Sequence, residues 1–76
     1  MKQIFNMTSN EVRNLAREYI RQGVTSRAIQ CFERLRWLGK LRQHEYLFLY
    51  ITYARQGKVN AAKDTIERYN RIYTLQ

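Results

Sequence analysis

A repeat with a 34-residue period is the feature that most limits how this chain can fold. When residues 18–35 are laid over residues 52–69 without a gap, seven of the eighteen aligned positions are identical. Ordinary amino-acid composition would give about one identity. The identical pairs are Tyr19/Tyr53, Arg21/Arg55, Gln22/Gln56, Gly23/Gly57, Ala28/Ala62, Glu33/Glu67 and Arg34/Arg68. A helical repeat of this length is typical of a helix-turn-helix unit.

Capping residues and glycines divide the chain into four predicted helices. Thr8 and Glu11 have the spacing of a capping box that starts the first helix, and Thr25 or Ser26 is expected to cap the second. The third helix is predicted over residues 45–56, and the fourth runs nearly to Gln76. The chain has no proline, and the expected helix stops are the glycines at 23, 39 and 57. The sequence therefore predicts an all-α fold: an arm at 1–7, then one domain over 8–76 with repeats at about 9–42 and 43–76.

Each predicted helix has one apolar stripe at helical spacing, which indicates a packed core. The arm adds Ile4 and Phe5, which could fold back onto the first helix; the alternative is a loose arm. The four stripes, in chain order, are Val12, Leu15, Ala16 and Tyr19; Ala28, Cys31, Phe32, Leu35 and Leu38; Tyr46, Leu49, Tyr50 and Tyr53; and Val59, Ala62, Ile66, Tyr69 and Ile72.

The charge of the chain is strongly positive, because 14 Lys and Arg stand against 6 Asp and Glu, a formal net charge of +8. A field of this size attracts acidic surfaces, phosphates or anionic lipids. The single cysteine forms no internal disulfide, which favours a reducing compartment. The N-terminus lacks the apolar core of a signal peptide, and no run approaches the roughly 20 apolar residues of a membrane span. We therefore expect a cytoplasmic protein.

Several classes of chemistry are disfavoured. A chain of 76 residues buries only about 60% of the surface that its unfolded form exposes. Few residues are therefore left to form the walls of a catalytic cleft. The sequence contains no Gly-rich phosphate loop and no Cys and His cluster at zinc spacing. Cys31 is expected in the core, away from His44, so the two are not expected to form a reactive pair. We predict a non-enzyme without metal or cofactor.

The repeat units resemble tetratricopeptide repeats over residues 9–76, and the resemblance implies a fragment of a right-handed solenoid. Two departures are Tyr50, where the family has a small residue, and the absence of the closing proline, with Lys40 and Thr74 in its place. Residues 54–62 also resemble a pentatricopeptide repeat, which would imply RNA binding, but two units are too few for base-by-base reading. The tetratricopeptide positions are Leu15, Ala16, Tyr19, Gly23, Ala28 and Phe32 in the first unit, and Leu49, Tyr53, Gly57, Ala62 and, more loosely, Ile66 in the second.

The tetratricopeptide resemblance implies a protein-binding groove formed by the first helix of each repeat. Independently of it, Arg13, Arg17 and Arg21 fall at i, i+4 and i+8, which places three guanidinium groups on one helix face. Glu18 is a candidate ion-pair partner for Arg21. The groove positions are Asn10, Arg13, Asn14, Arg17 and Arg21 in the first repeat, and His44, Leu47, Phe48, Ile51 and Arg55 in the second.

The third helix is apolar nearly all the way round, which normally means burial on every side. Its core stripe does not include Leu47, Phe48 and Ile51, which lie on the groove side of the helix. A partner protein or a second copy of the chain is expected to cover them. The alternatives are cover by the arm or by Tyr73 and Leu75.

We therefore predict a protein–protein interaction module, an adaptor or small chaperone that binds a partner helix or an acidic segment. The alternative is a small basic nucleic-acid-binding protein, and a third reading is self-association alone. Salt separates the first two, because phosphate binding weakens steeply with ionic strength.

Overall fold

The computed structural model describes residues 3–74 and contains four α-helices, with no strand in that part of the chain. The prediction of an all-α chain with four helices is confirmed. The chain divides after Leu41 into two compact units, one residue before the predicted repeat boundary. Unit 1 contains α1 and α2, and unit 2 contains α3 and α4. The helices are α1 Ser9–Gln22, α2 Thr25–Trp37, α3 Gln43–Arg55 and α4 Val59–Tyr73, and a short 3-10 helix, Ile4–Asn6, precedes them.

The turn inside each unit repeats in its hydrogen bonding. Gly23 and Gly57 end the first helix of their units with φ of +77° and +73°. At each turn the N–H of the residue after the glycine donates to the carbonyl of the repeated tyrosine, over 2.8 Å to Tyr19 and 3.0 Å to Tyr53. The positive φ favours glycine, which has no Cβ to clash. The 34-residue period is therefore a repeat of backbone geometry as well as of sequence.

The first helix of each unit has a glutamate at its third position, Glu11 in α1 and Glu45 in α3, 34 residues apart. Glu11 accepts a hydrogen bond from the Thr8 N–H over 2.9 Å, and the Thr8 hydroxyl accepts one from the Glu11 N–H over 3.2 Å, which confirms the capping box. In unit 2, Glu45 accepts from the Arg42 N–H over 2.8 Å. The arginine side chain has no acceptor, so α3 keeps the glutamate half of this arrangement.

Two predicted helix starts differ from the structure. Val24 is the N-cap of α2 and Thr25 is already helical, with no side-chain cap; the predicted cap at Thr25 or Ser26 is wrong because the glycine turn leads directly into the helix. The third helix begins at Gln43 rather than at residue 45, because Glu45 caps it from the third helical position.

The core of unit 1 lies between α1 and α2 and follows the predicted stripes. Leu15, Tyr19 and Leu38 of those stripes are half-buried. The 3-10 helix packs on α2, where the Arg34 guanidinium lies over the Phe5 ring, and Ile4 lines a cleft together with Leu15 of α1. The buried apolar residues are Val12, Ala16, Ala28, Ile29, Cys31, Phe32, Leu35 and Leu41.

The core of unit 2 lies between α3 and α4 and is more aromatic. Tyr73 packs edge-on against Tyr46, with 6.2 Å between ring centroids, and lies 5.1 Å from Tyr69. Val59 and Ile72 were expected in the core but are 71% and 42% exposed, because they lie in the first and last turns of α4. The buried residues are Glu45, Tyr46, Leu49, Thr52, Tyr53, Ala62 and Thr65.

Within residues 3–74, none of the helices has the length and apolar character that a membrane crossing requires. Residues 1, 2, 75 and 76, which include Leu75 of the proposed cover, lie outside the described residues.

Candidate partner-binding surfaces

The outward face of α3 carries an apolar stripe with a polar residue at each end. Leu47 and Phe48 are half-buried, and Ile51 is 46% exposed. His44 and Arg55, at the two ends, are exposed. These five residues fall at i, i+3, i+4, i+7 and i+11, which places them on one helix face. We call this set the α3 stripe.

The opposite face of α3 is already occupied by the core of unit 2. Leu49 is fully buried, and Tyr46 and Tyr53 are almost so. Thr52 is also buried, and its hydroxyl is satisfied within the helix, since Oγ1 donates to the Phe48 carbonyl over 2.7 Å. An ordinary surface helix has a polar outer face. In α3 that face is apolar, and this is the anomaly that the sequence predicted.

Arg13 lies inside unit 1 and not on an open basic face. Its side chain is only 6% exposed, and Nη2 donates to the Lys40 carbonyl over 2.7 Å. Lys40 follows the end of α2, where carbonyls lack a helical partner. The predicted row of three neighbouring guanidinium groups is therefore broken at its first member, because Arg13 ties α1 to the end of α2.

Arg21 is exposed and paired with Glu18, as the sequence suggested. Arg21 Nε donates to Glu18 Oε2 over 3.1 Å, and Nη2 also contacts the carboxylate. Gln22 Nε2 donates to Glu18 Oε1 over 3.0 Å. The hydrogen bond from Arg21, aided by that from Gln22, lowers the pKa of Glu18, and Glu18 raises the pKa of Arg21. The remaining predicted groove positions of α1, all exposed, are Asn10, Asn14 and Arg17.

Sequence reasoning missed an aromatic and arginine surface in unit 1. The Arg34 guanidinium lies over the Phe5 ring at 5.2 Å and over the Trp37 ring at 4.9 Å. Arg34 Nη2 also donates to the Phe5 carbonyl over 3.3 Å. We call these three residues the Arg34 stack. The available signal was the position of Trp37, the single tryptophan, off the apolar stripe of α2.

A cleft of about 520 Å³ opens in unit 1 between the arm, α1 and α2. Its walls include Leu15, Ile4 and Cys31, and the Arg27 guanidinium at its edge lies over the Tyr19 ring at 5.9 Å. Burial raises the pKa of the Cys31 thiol, which keeps it protonated and weakly nucleophilic. The predicted core position of Cys31 is confirmed.

Among residues 3–74, no group of three or more His, Cys, Asp or Glu side chains is arranged to hold a metal ion. No protein-family model, curated protein or solved structure matches the chain. The tetratricopeptide resemblance and the function of the chain therefore remain hypotheses, and these surfaces are the basis for choosing among the candidate functions.

Proposed function

We propose that the chain is a protein–protein interaction module that binds an amphipathic helix of a partner protein on the α3 stripe. One observation carries the proposal: Leu47, Phe48 and Ile51 remain partly exposed on a helix whose opposite face is already packed. Helix-on-helix recognition uses anchors at i, i+3, i+4 and i+7; counted from His44, the three apolar residues occupy the last three of these positions.

The stripe offers a moderate apolar driving force. Fully burying a Leu, Ile or Phe side chain contributes about 1.5–3 kcal/mol relative to exposure. Because Ile51 is 46% exposed and Leu47 and Phe48 are more covered than Ile51, completing their burial contributes roughly 1–3 kcal/mol in total. An adaptor or small chaperone that must release its partner suits this range, and further contacts at the ends of the stripe set specificity.

The ends of the stripe indicate the charge of the partner helix. Arg55 is exposed, and its side chain has no ionic partner among the described residues. A carboxylate on the partner helix, placed one or two turns beyond its apolar anchors, meets this guanidinium. His44 at the other end is exposed and suits a neutral polar contact. The preferred partner is therefore an apolar helix with an acidic end.

The finer architectural hypothesis belongs to the same proposal: the two hairpins are tetratricopeptide-like repeats of a solenoid fragment. It is supported by the glycine turns, which recur with the same hydrogen bonds 34 residues apart, and by buried Ala28 and Ala62 at equivalent positions of the second helices. Nucleic-acid binding, the alternative function, draws its support from the Arg34 stack in unit 1 and not from the α3 stripe.

A pull-down from the native host with and without nuclease tests the proposal, using the tagged wild-type chain and the double variant Phe48→Asp/Ile51→Asp. Val59→Asp is the matched control, because Val59 is an exposed apolar residue outside the stripe. We expect a nuclease-resistant protein near equal stoichiometry on the wild type and the control, and its loss from the double variant.

Sedimentation of the same three proteins measures self-association. A dimer that Phe48→Asp/Ile51→Asp dissociates identifies a second copy as the occupant of the stripe. Circular dichroism establishes that each variant is folded. If the folded double variant retains the same partner and the same oligomeric state as the wild type, the α3 stripe is not an interface and the proposal is wrong.

A further inference from the structure

The Arg34 stack exposes two large aromatic rings beside unneutralised positive charge. Phe5 is 71% and Trp37 77% exposed. We propose that this surface of unit 1 binds single-stranded nucleic acid, with bases stacked on Trp37 and Phe5 and phosphates held by Arg27 and Lys40. The proposal goes beyond the protein-binding function, because it concerns a different surface in the other unit.

The rings are held in place before any ligand arrives. Arg34 covers one face of each ring, at 5.2 Å from Phe5 and 4.9 Å from Trp37. Arg34 Nε is buried with no hydrogen-bond partner in the described part of the chain, and Nη2 is engaged by the Phe5 carbonyl. Arg34 is therefore a positioning residue. The second face of each ring is left for a planar group to extend the stack.

The positive charge available to a ligand lies near the two ends of α2, at Arg27 and at Lys40. Arg27 and Lys40 are both exposed, and neither side chain has a carboxylate partner among residues 3–74. Arg36, in contrast, pairs with Glu33, with Nε and Oε1 3.1 Å apart. The acidic residue nearest to the rings in sequence is thus already neutralised.

The spacing along α2 suits a short strand of nucleotides. Arg27, Gln30, Arg34 and Trp37 fall at i, i+3, i+7 and i+10, which is one face of the helix. At 1.5 Å per residue, the ten residues from Arg27 to Trp37 extend about 15 Å. A stacked strand advances about 3.4 Å per nucleotide, so this face matches roughly four nucleotides. The exposed Gln30 amide lies between the charged and aromatic ends.

Single-stranded nucleic acid fits both parts of the surface, whereas other polyanions fit one. An acidic peptide would neutralise the cations but leave the open ring faces without a planar partner. A duplex hides its base faces. An anionic bilayer would require a continuous apolar face on α2, and the apolar residues Cys31, Phe32 and Leu35 are buried inside unit 1. Base–aromatic stacking combined with a cationic track is the usual arrangement for single strands.

Trp37 provides the assay, because it is the single tryptophan. We titrate its fluorescence with thymidine and uridine oligomers of about eight nucleotides, between about 50 and 200 mM salt. Saturable quenching is expected. Phe5→Ala should weaken binding at least about fivefold, through loss of one stacked base. Arg27→Ala and Lys40→Ala should each reduce the log–log salt slope by about 0.7.

Arg55→Ala is the matched control, since it removes an exposed arginine from unit 2 and should leave the salt slope unchanged. Arg34→Lys keeps the charge but loses the planar group between the rings, and should lower the affinity as Phe5→Ala does. Phe48→Asp/Ile51→Asp should bind the oligomers like the wild type, so failure of the α3 stripe proposal and failure of this one are distinguishable.

Three results overturn the proposal. The first is absence of saturable quenching by either oligomer. The second is a loss of specificity, seen in either of two ways. Phe5→Ala and Arg55→Ala lose affinity equally, or a duplex binds as tightly as a single strand of the same length. Either outcome indicates a non-specific charge effect. The third is a blue shift of Trp37 on phosphatidylserine-containing vesicles without quenching by oligomers, which assigns the surface to membranes.

Discussion

The repeated glycine turn allows a sharp test of the backbone at positions 23 and 57. We consider replacement of each glycine by L-alanine and, in a chemically synthesised chain, by D-alanine. An ideal L-Cβ built at either position meets nothing within 4 Å. The cost of L-alanine is therefore backbone strain and not a steric clash, since φ is +77° at Gly23 and +73° at Gly57.

The expected magnitudes follow from two terms. An L-residue in the left-handed region costs roughly 1–2 kcal/mol. Loss of glycine flexibility from the unfolded chain contributes about 0.4–1 kcal/mol of stability in return. L-alanine should therefore destabilise its unit by about 1 kcal/mol, whereas D-alanine, which adopts positive φ without strain, should stabilise it by about 0.4–1 kcal/mol.

Urea unfolding followed by circular dichroism measures the change in the free energy of unfolding for both substitutions. In thermal unfolding the midpoint is expected to shift by about 4–8 °C per kcal/mol. The effects at Gly23 and Gly57 should agree within a few tenths of a kcal/mol, because the two turns share their hydrogen bonds. Equal stabilities of the L- and D-alanine chains would show that the backbone is not left-handed there. A loss well above about 3 kcal/mol for L-alanine would indicate a steric clash.

Two further predictions concern α1. Arg13→Met should destabilise the chain by about 1.5–3 kcal/mol, because it removes a charged donor from the Lys40 carbonyl. Arg17→Met is the control at an exposed position. In the same urea titration it should change the free energy of unfolding by less than about 0.5 kcal/mol. Arg21 lowers the pKa of Glu18 in the folded chain. The pair therefore stabilises the fold at pH values above the ordinary glutamate pKa of about 4.3. This contribution is lost as the pH falls through the lowered pKa of the folded state. Arg21→Ala should remove that part of the pH dependence of the unfolding midpoint. If the midpoint of the variant falls at acid pH in the same way as that of the wild type, the pairing is contradicted.

The features that the sequence predicts well depend on neighbouring residues. The capping box of Thr8 and Glu11 is a contact between residues three apart, and the turns at Gly23 and Gly57 depend on a backbone conformation that glycine alone adopts readily. The apolar stripes follow from helical periodicity, since only one face of each helix can reach its partner. For these elements the local pattern is enough.

The features that the sequence misses depend on contacts between distant residues. Arg13 has the periodicity of a surface arginine, and its burial requires the Lys40 carbonyl, 27 residues away, to lie against it. The surface at Trp37 requires the arm to return to α2, so that Phe5 and Arg34 meet across 29 residues. Val59 and Ile72 have core spacing, but periodicity does not indicate where a partner helix stops covering them.

The distribution of thiol, indole and phenol groups makes the two hairpins distinguishable without labels. The single cysteine and the single tryptophan both lie in α2, and the thiol of Cys31 is almost completely buried. Unit 2 has neither, but it holds the packed phenol rings of Tyr46, Tyr69 and Tyr73. Thiol-exchange rates therefore report the opening of the first hairpin, and near-ultraviolet tyrosine dichroism reports mainly the second. Whether the two hairpins melt as one cooperative block or in sequence can be read from the native chain alone.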